Sequence, residues 1–193
     1  MQKKKELLFL CGIKHSGKSS LARALASHTG LPYRDIDDGI IAAYPQYTSI
    51  RAIYRSLGKP GFMEAEVRAL DACIQQLVEE PPLQTWRGYK GIIALGGGAC
   101  DNLPAMQPMQ TKGTSIYLQV AENVLLPRIL ARGVPPFLDT GNPTEAFHHL
   151  YLARHAVYSK YADFIVQLPD CGTVEDNFTY FLEQLDNFTP ASG

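Results

Sequence analysis

The sequence carries no excess of either charge: 18 Lys and Arg stand against 19 Asp and Glu, a formal net charge of −1 over 193 residues. A protein whose main partner is nucleic acid or an anionic membrane surface needs a basic excess, so both partner classes are excluded. Nor is there an apolar run approaching the about 20 residues of a membrane span. The stretch Leu7 to Ile13 stops at Lys14 and His15. Although Lys3-Lys4-Lys5 precedes it, no small-residue cleavage pattern follows, so a secretory leader is not expected. Cysteine is sparse: Cys11, Cys73, Cys100 and Cys171 lie far apart with no C-x-x-C pair, which excludes a disulfide framework or a zinc knuckle. They are read as reduced thiols in or near the core. Internal repeats and long linkers are also missing. The expectation is one domain over 1–193, in a cytoplasmic protein that works as a monomer.

What is present is ample apolar material, 46% of residues, arranged as short runs that alternate with helical patterns. Leu7–Cys11 and Gly91–Leu95 are continuous apolar runs, as expected of strands buried on both faces. Ser115–Val120 and Asp163–Val166 are further strands, and Pro32–Asp37 reads as a short strand ending in two carboxylates. Helices are expected at about Lys18–His28, Asn123–Arg132, Ala146–Tyr158 and Val174–Leu185. Residues from about Ser49 to Val78 read as two helices around Gly58-Lys59-Pro60-Gly61, stopped before Pro81-Pro82. The tail 186–193 is expected to fray. Strands alternating with helices imply an α/β fold with a parallel sheet covered on both faces. Ligands in such folds sit at the carboxyl ends of the strands.

Three motifs lie at those ends. The first is Gly12-Ile13-Lys14-His15-Ser16-Gly17-Lys18-Ser19, a G-x-x-x-x-G-K-S phosphate loop between a strand and a helix. Glycines let the backbone curl so that successive N–H groups face phosphate oxygens. Lys18 supplies a point charge, the Ser19 hydroxyl suits Mg²⁺, and Ser20 extends the helix N-terminus whose dipole favours an anion. This predicts binding of a nucleoside triphosphate, ATP with Mg²⁺. The second motif is Asp35-Ile36-Asp37. On a strand, both carboxylates project to one side; one can hold Mg²⁺ through water while the other accepts a proton from an attacking hydroxyl. The plainer alternative is a set of solvated acids, with Asp38 capping the next helix. The third is Gly96-Gly97-Gly98, a weak structural choice unless backbone must approach something closely, or a simple flexible turn. Together the three point to a small-molecule kinase.

The order of these motifs resembles the shikimate kinase family, from Leu7 to about Val166. After the phosphate loop come Asp35-Ile36-Asp37, Ser49-Ile50, Gly58 to Glu66 in place of G-E-x-x-F-R-x-x-E, Gly96–Gly98, Tyr117-Leu118, Pro135-Pro136-Phe137-Leu138 in place of R-P-L-L, and Arg154 to Tyr158. The resemblance implies a three-layer P-loop kinase fold: a central, mostly five-stranded parallel sheet, a helical substrate region at about 38–80 and a mobile lid at about 131–145. It implies that Ser19 and Asp35 organise Mg²⁺ and that Asp37 binds the substrate hydroxyl and acts as base. Gly96, Gly97 and Gly98 would lie against the substrate, Arg154 would pair with its carboxylate, Glu66 would orient the binding side chains, and Arg128 would cover the adenine.

The chain departs from the family pattern in three places. His15 stands at a loop position that is usually glycine, which is tolerable if its backbone angles are ordinary. Met63 stands where the family has an arginine that binds the substrate carboxylate, a charge-assisted bond contributing on the order of 1.5–3 kcal/mol. In its plain reading Met63 is a core residue. Pro135 stands where the lid arginine would reach the transferring phosphate. Arg51, Arg55 or Lys59 near Met63, and Arg132 near Pro135, are candidates to replace the missing charges; Arg154 taken alone also fits a helix-surface salt bridge. Three readings stay open: a shikimate kinase, a kinase of a different small acceptor such as a gluconate-like acid or a polyol, and a nucleotide-binding protein without transferase activity.

Overall fold

A computed structural model of the protein describes residues 5–79, 84–131, 133–135, 138, 141–170 and 172–188. Pro81-Pro82, Arg132, the Pro136-Phe137 part of the expected lid, Cys171 and the tail past 188 lie outside the described residues. The elements run β1 (Leu7–Cys11), α1 (Lys18–Thr29), β2 (Tyr33–Asp35), α2 (Ile36–Ala43), α3 (Ile50–Glu79), β3 (Gly91–Ala94), a 3-10 turn (Ala99–Asp101), α4 (Leu103–Lys112), β4 (Gly113–Gln119), α5 (Glu122–Leu130), α6 (Pro143–Tyr161), β5 (Phe164–Gln167) and α7 (Val174–Asn187).

The five strands form one parallel sheet in the order β2-β3-β1-β4-β5. β1 lies at its centre, and its five side chains are essentially inaccessible, which is why that stretch is apolar without alternation. Each such side chain contributes about 1.5–3 kcal/mol of burial. β5 is an edge strand and leaves Ile165 exposed. The fold is the P-loop kinase α/β fold that the motifs imply. Cys11, Cys73 and Cys100 are buried free thiols, as expected.

Two helices differ from the sequence reading. The strand expected over Pro32–Asp37 ends at Asp35, and Asp37 sits in the first turn of α2. The Asp35 carboxylate caps that helix by accepting from the Asp37 N–H at 2.9 Å, and Ile36 and Ile40, four apart, bury its inner face. The two acids therefore do not share a strand face, and the capping role expected of Asp38 belongs to Asp35. Helix α4 lies where none was expected; Pro104 and Pro108 obscure a stripe of Ala105, Met106 and Met109 that is fully buried. The pair of helices expected around Gly58 is present as α3, with Gly58 at φ 66°, ψ 176° breaking its helical path.

Candidate active site

The loop after β1 and the segment after β3 meet at the carboxyl end of the sheet. Gly12 has φ 149°, and a Cβ there would lie 2.7 Å from the Leu118 carbonyl oxygen. No other residue fits that position. Gly17, at φ 90°, turns the chain into α1. His15 has φ 66°, so its backbone angles are not ordinary: it holds the left-handed conformation that glycine adopts freely and side chains adopt at a cost. Arg128 on α5 donates to the His15 carbonyl at 3.4 Å and so braces the strained turn from outside.

Lys18 is buried, and among the described residues its ammonium donates one hydrogen bond, to the Ile13 carbonyl at 3.1 Å. Three donors with one acceptor leave a buried charge in need of an anion. Burial pulls its pKa down to about 8, and the Asp37 charge pushes back. The Ser16 hydroxyl is also buried in this loop, without a partner among the described residues. Ser19 donates to Asp35 Oδ2 at 2.6 Å, and Tyr33 donates to the same oxygen at 3.0 Å. Mg²⁺ in phosphoryl-transfer sites takes only one or two protein oxygens and fills the rest with phosphate and water, so the Ser19–Asp35 pair fits it. Ser20 is exposed on the first turn of α1.

Asp37 lies against the opposite wall. Burial raises its pKa first, with the neighbouring Asp35 charge adding to the rise, while Lys18 and Lys14 oppose it. A Cβ on Gly96 would stand 3.0 Å from Glu66 Oε1 and 3.2 Å from Asp37 Oδ1. On Gly97 it would meet Lys14 N and Cα at 2.7 Å, and on Gly98 it would meet Arg154 Nη2 at 3.1 Å. The glycine run therefore lets three things close in at once: two carboxylates, the phosphate-loop backbone and a guanidinium. A flexible turn would need none of these.

The remaining polar residues neutralise one another. Arg154, nearly buried on α6, holds Asp101 with two hydrogen bonds at 3.3 and 2.8 Å and donates to the Gly97 carbonyl at 3.1 Å. It is thus an ion-pair partner, but an inward-facing one. Glu66 accepts from Asn102 at 2.9 Å, and burial raises its pKa. Asn102 also donates to the Met63 carbonyl at 2.8 Å. Met63 itself is half-buried rather than a core residue. Sequence reasoning missed Tyr33, Asp101 and Asn102. Only Tyr33 had a legible signal, lying two residues before Asp35 on the same strand face. Arg51 lies not with Met63 but in a cleft bounded by Lys14, His15, Ile129, Gly133 and Pro135.

This arrangement has known counterparts. A family model for shikimate kinase matches residues 14–186. The shikimate kinase of Chlamydia pneumoniae is 32% identical over 160 residues, covering 82% of this chain and 84% of its own. Among solved structures, shikimate kinase from Acinetobacter baumannii in complex with shikimate superposes with a TM-score of 0.78 at 22% identity, covering 96% of this chain and 95% of that one. A gluconokinase from Sinorhizobium meliloti shares the fold more distantly, with a TM-score of 0.54 at 15% identity, covering 96% of this chain and 94% of that one. The chain belongs to the shikimate kinase family.

Proposed function

We propose that the protein transfers the γ-phosphoryl group of ATP to a hydroxyl of shikimate, with Mg²⁺. The observation that carries this reading is the facing pair Lys18 and Asp37, one a buried cation short of an anion and the other a carboxylate with a raised pKa. The acceptor hydroxyl oxygen forms a bond to the γ-phosphorus as the bond to the bridging oxygen breaks, ADP leaves, and the hydroxyl proton passes to Asp37. Ser19 and Asp35 would hold Mg²⁺, which when bound would neutralise charge on the phosphates. Lys18 holds the transferring group, and Gly96 and Gly98 leave the space that an acceptor ring needs beside Asp37 and Arg154. Family membership supports shikimate as the acceptor, as does the shikimate bound by the Acinetobacter baumannii relative.

One observation favours a second reading, a neutral polyol or differently charged acceptor. Met63 stands in place of an arginine, and Arg154 is already engaged by Asp101, so Arg154 is available to a carboxylate only if Asp101 yields. Turnover with shikimate, gluconate and neutral polyols, followed by coupled ADP release, separates the two. The first reading expects shikimate to exceed the others by at least tenfold in kcat/KM. A polyol preferred over shikimate overturns it, and ADP binding with no acceptor turned over would leave a nucleotide-binding protein.

A further inference from the structure

Beside the phosphate loop is a small cleft of about 160 Å³ lined by Lys14, His15, Arg51, Ile129, Gly133 and Pro135. It is smaller than the ~300–1,000 Å³ of pockets that enclose drug-sized ligands, and it suits a phosphate-sized anion with a few waters. Its lining holds a lysine, an arginine and a histidine and, among the described residues, no carboxylate. Among the described residues, neither Lys14 nor Arg51 has a hydrogen bond or ion pair. Two unpaired cations held together repel, and an anion between them reverses the sign of that interaction.

The place of this cleft is informative. Lys14 lies in the phosphate loop with its backbone against Gly97, and its charge is one of those acting on Asp37. Lys14 therefore links the cleft to the phosphate loop and to the glycine run. Arg51 is presented from the first turn of α3, which is fixed at both ends of that turn: Ser49 Oγ accepts from the Ala52 N–H at 3.2 Å, and Ile53 is fully buried. Pro135, also in the lining, offers no charge.

We propose that Arg51, with Lys14, supplies the cation that meets the transferring phosphoryl group from the side away from Lys18. This rests on the phosphotransferase reading above and adds a residue to it. Guanidinium geometry matches two phosphoryl oxygens at once, and charge placed where it develops acts on kcat more than on ground-state affinity.

The test uses the full chain with ATP, Mg²⁺ and shikimate. Arg51→Gln is expected to lower kcat on the order of 10²-fold, with KM for both substrates within about threefold and Tm unchanged. Affinity for ADP with aluminium fluoride in the presence of shikimate should fall in parallel, while affinity for ADP alone stays. Arg51→Lys should recover part of the loss. Pro135→Arg added to Arg51→Gln should recover more, because it returns a cation to the lining of the same cleft. An unchanged kcat in Arg51→Gln overturns the proposal, as does a loss matched by equally weakened ADP binding. If the wild-type chain phosphorylates no acceptor, the functional reading fails first; if it turns over and Arg51→Gln matches it, only the role of Arg51 fails.

Discussion

The two sides of the cleft are built on opposite principles. The donor side is eight consecutive residues, Gly12 to Ser19, folded by local geometry, and it holds charge that the protein leaves unanswered: Lys18 is buried with one acceptor, and Lys14 has no partner among the described residues. The acceptor side is gathered from β2, α2, α3, the glycine run, the 3-10 turn and α6, and two of its buried charges are already held by neighbours. Arg154 is held by Asp101 and Glu66 by Asn102. A triphosphate entering the donor side relieves an existing electrostatic cost. On the proposed function, an acceptor entering the other side would have to displace or share hydrogen bonds already made, so weaker and more selective binding is expected there.

The sharpest way to break this comparison is at the residue that joins the two sides. Asp37→Asn keeps the shape and removes the proton acceptor; kcat should fall about 10²–10⁴-fold in steady-state assays, with ATP affinity kept. A fall in ATP affinity as large as that in kcat would mean that Asp37 organises the donor instead. Next in size is Gly97→Ala. Its Cβ would stand 2.7 Å from the Lys14 backbone, and backbone cannot swing aside as a side-chain tip can. A stability loss of about 1–3 kcal/mol is expected from such overpacking, read as a lowered Tm, together with weakened ATP binding because the phosphate loop is the neighbour that moves.

Asp101→Asn sharpens the acceptor side. It frees the Arg154 guanidinium for a carboxylate, so KM for shikimate should fall by about tenfold, the size of one charge-assisted hydrogen bond, with KM for ATP unchanged. A rise in KM would show that Asp101 positions Arg154 for the substrate and does not compete with it. The smallest effect is in pH. Lys18 must be charged to hold phosphate, and its pKa in the free protein is pulled down to about 8 by burial; kcat/KM should therefore decline above about pH 8. In the ATP complex the phosphates favour the charged form, so the matching limb in kcat moves to higher pH. On the acid side, Asp37 must be ionised, and with its pKa raised from 3.8 activity should begin to fall above the ordinary aspartate range. Lys18 also affects stability: its folded pKa lies below the unfolded value of 10.5. The unfolded chain thus binds more protons between about 8 and 10.5, and this residue's cost to folding lessens as pH rises through that window.

The same contrast explains what the sequence could and could not show. β1, the phosphate loop and α1 are contiguous, and apolar run, glycine spacing and helix periodicity all agree there, so their bounds are found almost to the residue. Asp35 and Asp37 were legible as a pair. Their division between a helix cap and a first turn was not, because D-x-D fits a strand end as well as an N-cap. The partners of Arg154 and Glu66 lie 53 and 36 residues away, and nothing local in Asp101-Asn102 marks them. His15 at φ 66° likewise needs the backbone to be seen. Arg51 was legible as one of three candidates, with Arg55 and Lys59, to replace the charge missing at Met63; closeness in sequence along α3 said nothing of the break at Gly58 that lies between Arg51 and Met63.

The central claim is that the Lys18–Asp37 pair passes a phosphoryl group from ATP to a hydroxyl of shikimate. Phosphorus NMR of the full chain with ATP, Mg²⁺ and shikimate tests it most directly. The account predicts one new phosphomonoester signal that grows one-for-one with ADP and is abolished in Asp37→Asn. ADP accompanied only by inorganic phosphate, or a phosphomonoester that forms equally well in Asp37→Asn, would contradict it.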